Sequence, residues 1–176
     1  MAIYNNKHCV FEMVGVENSS VVWNPYTNLD NDNAQNDWNI SDMRNTTLPT
    51  HLLLLSNDLQ SIITNTTIQT ATNGINGTLV STSDKLFLAA EKEMRAYPSI
   101  ARTEENNTLI TWSYWTTHTT NSDRVKLRPN NTASSYWLRS PVSNKNDNVL
   151  MVGSNGVFNN TADGGGTQRI SLCYAL

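Results

Sequence analysis

The chain has 176 residues, a formal net charge of -3 and a charged fraction of only 15%. That length suits one domain, residues 1–176, with enough chain to bury a sizeable core. So weak a net charge, with no basic run, excludes the electrostatic footprint that nucleic acid or an anionic membrane surface would select. Asparagine is the unusual residue, at 25 positions. Alone it would suggest disorder, but five Trp, six Tyr and several Leu-rich stretches point to an ordered core wrapped in polar loops. No apolar run approaches the length of a membrane span. Met1–Lys7 lacks the apolar core of a signal peptide, so the expected location is a virion or extracellular surface reached without general secretion.

In chain order, Cys9–Val16 alternates loosely and reads as a strand. Residues 24–37 form a polar loop whose Asp30, Asp32 and Asp37 read either as solvated loop or as oxygen ligands for calcium. The spacing lacks the glycine and closing glutamate of an EF-hand. Ser41 is placed to cap a helix, Pro49 suits a first helical position, and Ser56-Asn57-Asp58 recaps a short second helix. Leu48, Leu52, Leu55, Leu59, Ile62 and Ile63 share one apolar face, expected to be core. Thr64–Ser83, with Asn73-Gly74 and Asn76-Gly77, reads as a hairpin or extended arm. Asp84–Ala90 reads as a buried strand running into a short helix, Glu91–Arg95, ended by Pro98.

Trp112, Tyr114 and Trp115 read either as core packing or as a platform for stacking a sugar. Glu91 with Glu93, and Glu104 with Glu105, are expected on solvated faces. Further on come a strand motif at Ser135–Pro141, a polar loop at 144–148, a strand at Val149–Val152, a turn at Gly153–Gly156, and a return beginning at Val157-Phe158. A final strand is expected over Arg169–Leu176, tying the C-terminus into a sheet. Cys9 and Cys173 read as free thiols or as a staple between neighbouring end strands, which needs Cα atoms within about 7 Å.

Four landmarks then occur in order: Trp38 with Ser41-Asp42-Met43-Arg44; Leu48-Pro49 with Asp58-Leu59-Gln60; Thr82–Leu88; and Trp137-Leu138-Arg139-Ser140-Pro141 with the closing strand. On these the chain resembles the "WLRSP" domain of unknown function of gut bacteria and their phages. That domain is similar in turn to the C-type-lectin-fold variable proteins of diversity-generating retroelements. The resemblance implies an α+β, C-type-lectin-like fold, with two helices around small antiparallel sheets and adjacent N- and C-terminal strands. It also implies a variable, ligand-displaying region over about 142–169, with Asn144, Asn146, Asn148, Asn155, Asn159 and Asn160 as the binding positions.

The expected function is therefore non-enzymatic recognition: a phage or bacterial adhesin meeting a host-surface glycan or protein. The alternative is a structural virion protein, a capsid decoration or tail-assembly module that contacts other virion subunits. A homotrimer is one assembly open to either, and neither calls for nucleic acid or membrane insertion. No catalytic residue, metal or cofactor is expected. His8, His51 and His118 lack a local catalytic motif, and the two cysteines suit copper-site chemistry poorly. Arg139, inside an apolar motif, is expected to hold backbone carbonyls or a carboxylate.

Overall fold

The structure, a computed structural model, describes residues 2–4, 8–24, 36–73, 75–163 and 166–176. It opens with β1 (Ala2–Tyr4), β2 (His8–Glu12) and β3 (Val21–Val22). A 3-10 turn at Trp38–Ile40 and a wide helical turn at Met43–Thr47 lead into α1 (Leu48–Leu54) and α2 (Asn57–Ile62). The hairpin β4 (Thr66–Ala71) and β5 (Leu79–Asp84) follows, then the short helices α3 (Glu91–Met94), α4 (Thr103–Thr108) and α5 (Ser113–Thr117). The remainder is β-rich: β6 (Lys126–Leu127), β7 (Ala133–Ser134), β8 (Tyr136–Pro141), β9 (Asn148–Val152), β10 (Phe158–Asp163), β11 (Thr167–Gln168) and β12 (Cys173–Ala175).

The class is α+β, with several small antiparallel sheets. β1-β2-β12 and β10-β9-β8 are three-stranded; β11-β3, β4-β5 and β6-β7 are pairs. The ends of the chain lie side by side, as expected: Cys173 faces Glu12 and Ala175 faces Val10 across β12 and β2. Cys9 and Cys173 are nonetheless unbridged, because the register sets Cys9 opposite Ile3 and Cys173 opposite Glu12. Instead of two helices there are five short α-helical segments among the described residues, the longest of seven residues. None is long and apolar enough to cross a membrane.

Local chemistry explains the breaks. Ser41 Oγ accepts the Arg44 N–H at 3.1 Å, and Pro49 sits in the first turn of α1. Ser56 adopts an extended ψ and its Oγ accepts the Leu59 N–H, so one apolar stripe becomes two stacked turns. That stripe is only partly core. Leu48 and Ile63 are buried, and Leu52, Leu55 and Leu59 pack against the core, but Ile62 is exposed. The change of axis at Leu55-Ser56 turns Ile62 away from the face that the continuous spacing implied. The buried strand expected over Asp84–Ala90 also differs: β5 ends at Asp84, and residues 86–90 run buried with one bridge, Phe87 to Cys173.

The core centres on Trp23, Trp38 and Trp137, all fully buried. The Trp23 ring lies 5.5 Å from Trp38 and 6.0 Å from Trp137, in tilted and edge-on geometry. Such offset arrangements suit the aromatic quadrupole. Trp38 Nε1 donates to Asp84, which also takes the Arg44 Nε–H at 2.7 Å and the Thr82 hydroxyl. Trp137 Nε1 donates to the Val21 carbonyl. β8 is buried along its whole length.

Candidate functional site

β8 carries the motif Tyr136–Pro141 and pairs irregularly with β9: Trp137 faces Met151 and Pro141 faces Val149, so four steps on β8 answer two on β9. A bulge of this kind lifts backbone out of the ladder and re-aims side chains. The Arg139 N–H goes to the Ala89 carbonyl at 3.0 Å, and its side chain plunges into the interior with no exposure. There its fork meets Glu93 bidentately, both bonds at 2.6 Å. The remaining donors reach the carbonyls of Leu88 and Gln69 and the hydroxyl of Thr70. All five guanidinium hydrogens thus have acceptors, which a buried Arg requires.

Two more acids surround this pair. Glu91 is fully buried and accepts the backbone N–H groups of Ser99, Ile100 and Ala101, plus the Arg95 guanidinium. Glu105 is fully buried and accepts the Ala71 N–H at 2.9 Å. Burial pushes the Glu105 carboxyl up to about 7, against the opposing pull of the Ser140 hydroxyl, the Arg139 charge and the Ala71 N–H. The expectation that Glu91, Glu93 and Glu105 lie on solvated faces is therefore wrong. Partners on other elements bury Glu93 and Glu105, the segment at 95–101 folds over Glu91, and Glu104 is half-buried. The cluster is a polar keystone beneath the loops that follow Pro141.

The turn from β8 to β9 is stitched from below. Asn36 is fully buried, and its amide donates to the carbonyls of Lys145 at 3.0 Å and Asn148 at 2.9 Å. The Ser143 N–H reaches Ile100 and the Val142 N–H reaches Asn148. Asn144 stands exposed at the apex with φ 63°, a left-handed conformation that Asn tolerates better than most residues. Asn146 and Asn148 are half-buried, and each has an interaction within the fold.

The second turn, from β9 to β10, is also fixed. Asn155 is exposed, but its Oδ1 accepts the Val157 N–H at 3.2 Å. Gly156 has φ 77°, and its carbonyl takes the Arg124 Nε–H at 2.9 Å. The side chains of Asn159 and Asn160 lie outside the described residues; the backbone places Asn159 opposite Met151.

The described asparagines of this set therefore fall at two separate places. Consecutive antiparallel hairpins put their turns at opposite ends of the shared strand. Asn144, Asn146 and Asn148 gather at one end of β9, and Asn155 sits at the other, roughly 17 Å away for a five-residue strand. Asn36 and Arg124, which hold the two turns, were missed by sequence reasoning. Nothing local distinguishes them from neighbouring polar residues.

Of the aspartates read as solvated loop or calcium ligands, Asp30 and Asp32 lie outside the described residues, and Asp37 caps the turn at Trp38 by accepting the Asn39 N–H at 2.9 Å. Burial raises the Asp37 carboxyl above its ordinary value. Among the described residues no three His, Cys, Asp or Glu side chains gather as a metal site. His51 contacts the Thr47 carbonyl, and His118 stacks on Tyr114.

A family model described as a domain of unknown function, DUF6273, matches residues 17–171. The chain belongs to the DUF6273 family. No curated protein and no solved structure matches it. The matched span of this DUF6273 domain runs from before β3 to just before β12, so it takes in the tryptophan core, the Arg139–Glu93 keystone and both turns.

Proposed function

We propose that this domain is a non-enzymatic recognition module with a C-type-lectin-like arrangement, borne on a virion or extracellular surface. It presents the β8–β9 turn to a host-surface glycan or protein. The observation that carries the reading is the Asn36 clamp. A fully buried amide, more than 100 residues distant in sequence, holds the carbonyls of a turn whose apex, Asn144, is exposed. Fixing a polar loop in advance lowers the ordering cost of binding, and exposed loops on rigid strands are where recognition residues concentrate. The fold assignment draws support from the paired terminal strands, the small antiparallel sheets and the short helices. The buried carboxylates suit a scaffold role, since Glu91 and Glu93 are engaged by backbone N–H groups and arginines.

The test uses the fluorescently labelled chain against a glycan microarray and a panel of intact gut-bacterial cells. Saturable binding to at least one glycan or cell type is expected. Asn144→Gly with Lys145→Glu, which keeps the turn's backbone shape, should weaken it by about tenfold or more. Asn57→Ala, on exposed α2, should leave it unchanged. Absence of binding across both panels, or equal binding by the turn variant, would overturn the proposal.

A further inference from the structure

A second concave feature lies away from these turns, and no residue of it belongs to 142–169. It is an open cleft of about 230 Å³ between the end of β2, the start of α5 and the approach to β6. Trp112 and Trp115 form its buried wall, at 4% and 3% exposure, while Tyr114 stays 42% exposed. The Tyr114 ring is pre-set by an edge-on contact with Trp115 at 4.9 Å and a parallel stack on His118 at 3.9 Å. Val14, 94% exposed, stands at the rim.

The polar groups divide unevenly. Lys126 directs its three ammonium hydrogens to Glu12 Oε1, the Met13 carbonyl and the Ser171 hydroxyl, so it has none left for a ligand. Glu12 receives one donor on each oxygen, Lys126 on Oε1 and the Trp115 indole on Oε2. A carboxylate offers about four acceptor sites, so Glu12 retains acceptor capacity. Asp123, half-buried at the rim, adds a second carboxylate, one oxygen of which already accepts the Thr120 N–H and hydroxyl. Trp112 supplies the opposite need: its indole N–H is buried and has no acceptor among the described residues. Unmatched buried donors are rare in folded proteins and call for an explanation.

Aromatic walls, a carboxylate with spare acceptor capacity and an indole wanting an acceptor together describe a ligand that both donates and accepts while showing an apolar face. Hydroxyl groups on a ring meet all three conditions; an ammonium ion would meet the carboxylates and, by cation–π attraction, the aromatic rings, but not the indole's need of an acceptor. The volume is below the roughly 300–1,000 Å³ of pockets that take drug-sized ligands, so one ring fits and a chain of rings does not. We infer that this cleft is a binding site for a single pyranose-class sugar unit, separate from the β8–β9 turn. Tyr114 is the stacking residue, Glu12 the hydroxyl acceptor and Trp112 the indole donor.

Titration of the full chain with methyl glycosides of glucose, galactose and N-acetylglucosamine, followed by tryptophan fluorescence and saturation-transfer NMR, tests it. At least one glycoside should give a saturable change in both signals. Val14→Arg, which crowds the rim from an exposed position, and Tyr114→Ala should each weaken that binding at least about tenfold. Asn144→Gly should leave it unchanged, which separates this site from the turn. Three results would overturn the inference: no saturable signal with any glycoside, binding indifferent to both cleft variants, or tighter binding of tetramethylammonium than of every glycoside.

Discussion

Glu105 makes the stability of this domain depend on pH in a direction opposite to that of most carboxylates. Its side chain is wholly buried between α4 and β4, with the Ala71 N–H as its near donor. Desolvation raises it from 4.5 to about 7. A carboxyl raised on folding binds its proton more tightly in the native than in the unfolded chain. The stability it contributes is fully present below about pH 4.5 and is lost as pH rises through about 7. At about 1.4 kcal/mol per pH unit, that interval amounts to about 3 kcal/mol. Glu105→Gln keeps an oxygen to accept the Ala71 N–H and removes the ionisation. Urea unfolding followed by tryptophan fluorescence should find the two proteins within about 1 kcal/mol of each other near pH 4.5. The variant should then gain steadily, to about 3 kcal/mol over the parent near pH 8.5. Because every other titrating group is common to both, the difference isolates Glu105. A difference that stays flat across this range would refute the assignment.

Arg139→Met leaves Glu93 buried without its bidentate partner and should cost about 3–5 kcal/mol by chemical denaturation. Adding Glu93→Gln should restore a large part of that loss, since no charge is then stranded; equal instability of the single and double variants would count against the ion pair as the cause. Gly156→Ala places a methyl at φ 77° and 1.7 Å from the Asn121 carbonyl oxygen. Strain of order 1–3 kcal/mol, with backbone displacement added, should lower the melting temperature clearly; an unchanged melting temperature would mean that the β9–β10 turn does not pack on residues 119–124.

Local chemistry was legible. Ser41 and Ser56 cap where Ser followed by polar residues implied, and the Thr- and Asn-rich stretch folds into β4-β5 across a turn. β9 and the turn at 153–156 fall where Val149–Val152 and Gly153–Gly156 pointed. Charges were misread because burial is decided by partners remote in sequence. Glu93 and Arg139 are 46 residues apart, and Glu105 and Ala71 are 34 apart. Nothing near Glu91 in the chain announces that three backbone N–H groups at 99–101 will converge on it. Helical spacing did sort the leucines: Leu53 and Leu54, off the marked face, are both about three-quarters exposed, whereas Leu48 is buried. The sequence order of the asparagines does not show that Asn144 and Asn155 sit at opposite ends of β9, because that follows from the alternation of successive hairpin turns between the ends of a sheet.

The segments that look most specific in the sequence are also those that meet inside the protein. Trp38 and Arg44 converge on Asp84; Leu88 and Ala89 receive Arg139; Trp137 packs on Trp23 and bonds Val21. A motif rich in Trp, Arg and Asp invites a functional reading, yet here each polar atom of the Arg139 fork has an internal acceptor. Burying such groups is costly unless every one is satisfied, so the sequence around them is constrained by the interior alone. The turns are held partly through the backbone groups that Asn36 and Arg124 bind, and partly by their own side chains, as where Asn155 Oδ1 accepts the Val157 N–H. Among the described residues, the Asn36 amide donates to the Lys145 and Asn148 carbonyls at the β8–β9 turn, and the Arg124 Nε–H goes to the Gly156 carbonyl in the other. Substituting a turn side chain therefore leaves these clamps in place. Under the recognition role proposed above, gripping these turns by main chain separates the residues that fold the domain from exposed turn positions such as Asn144.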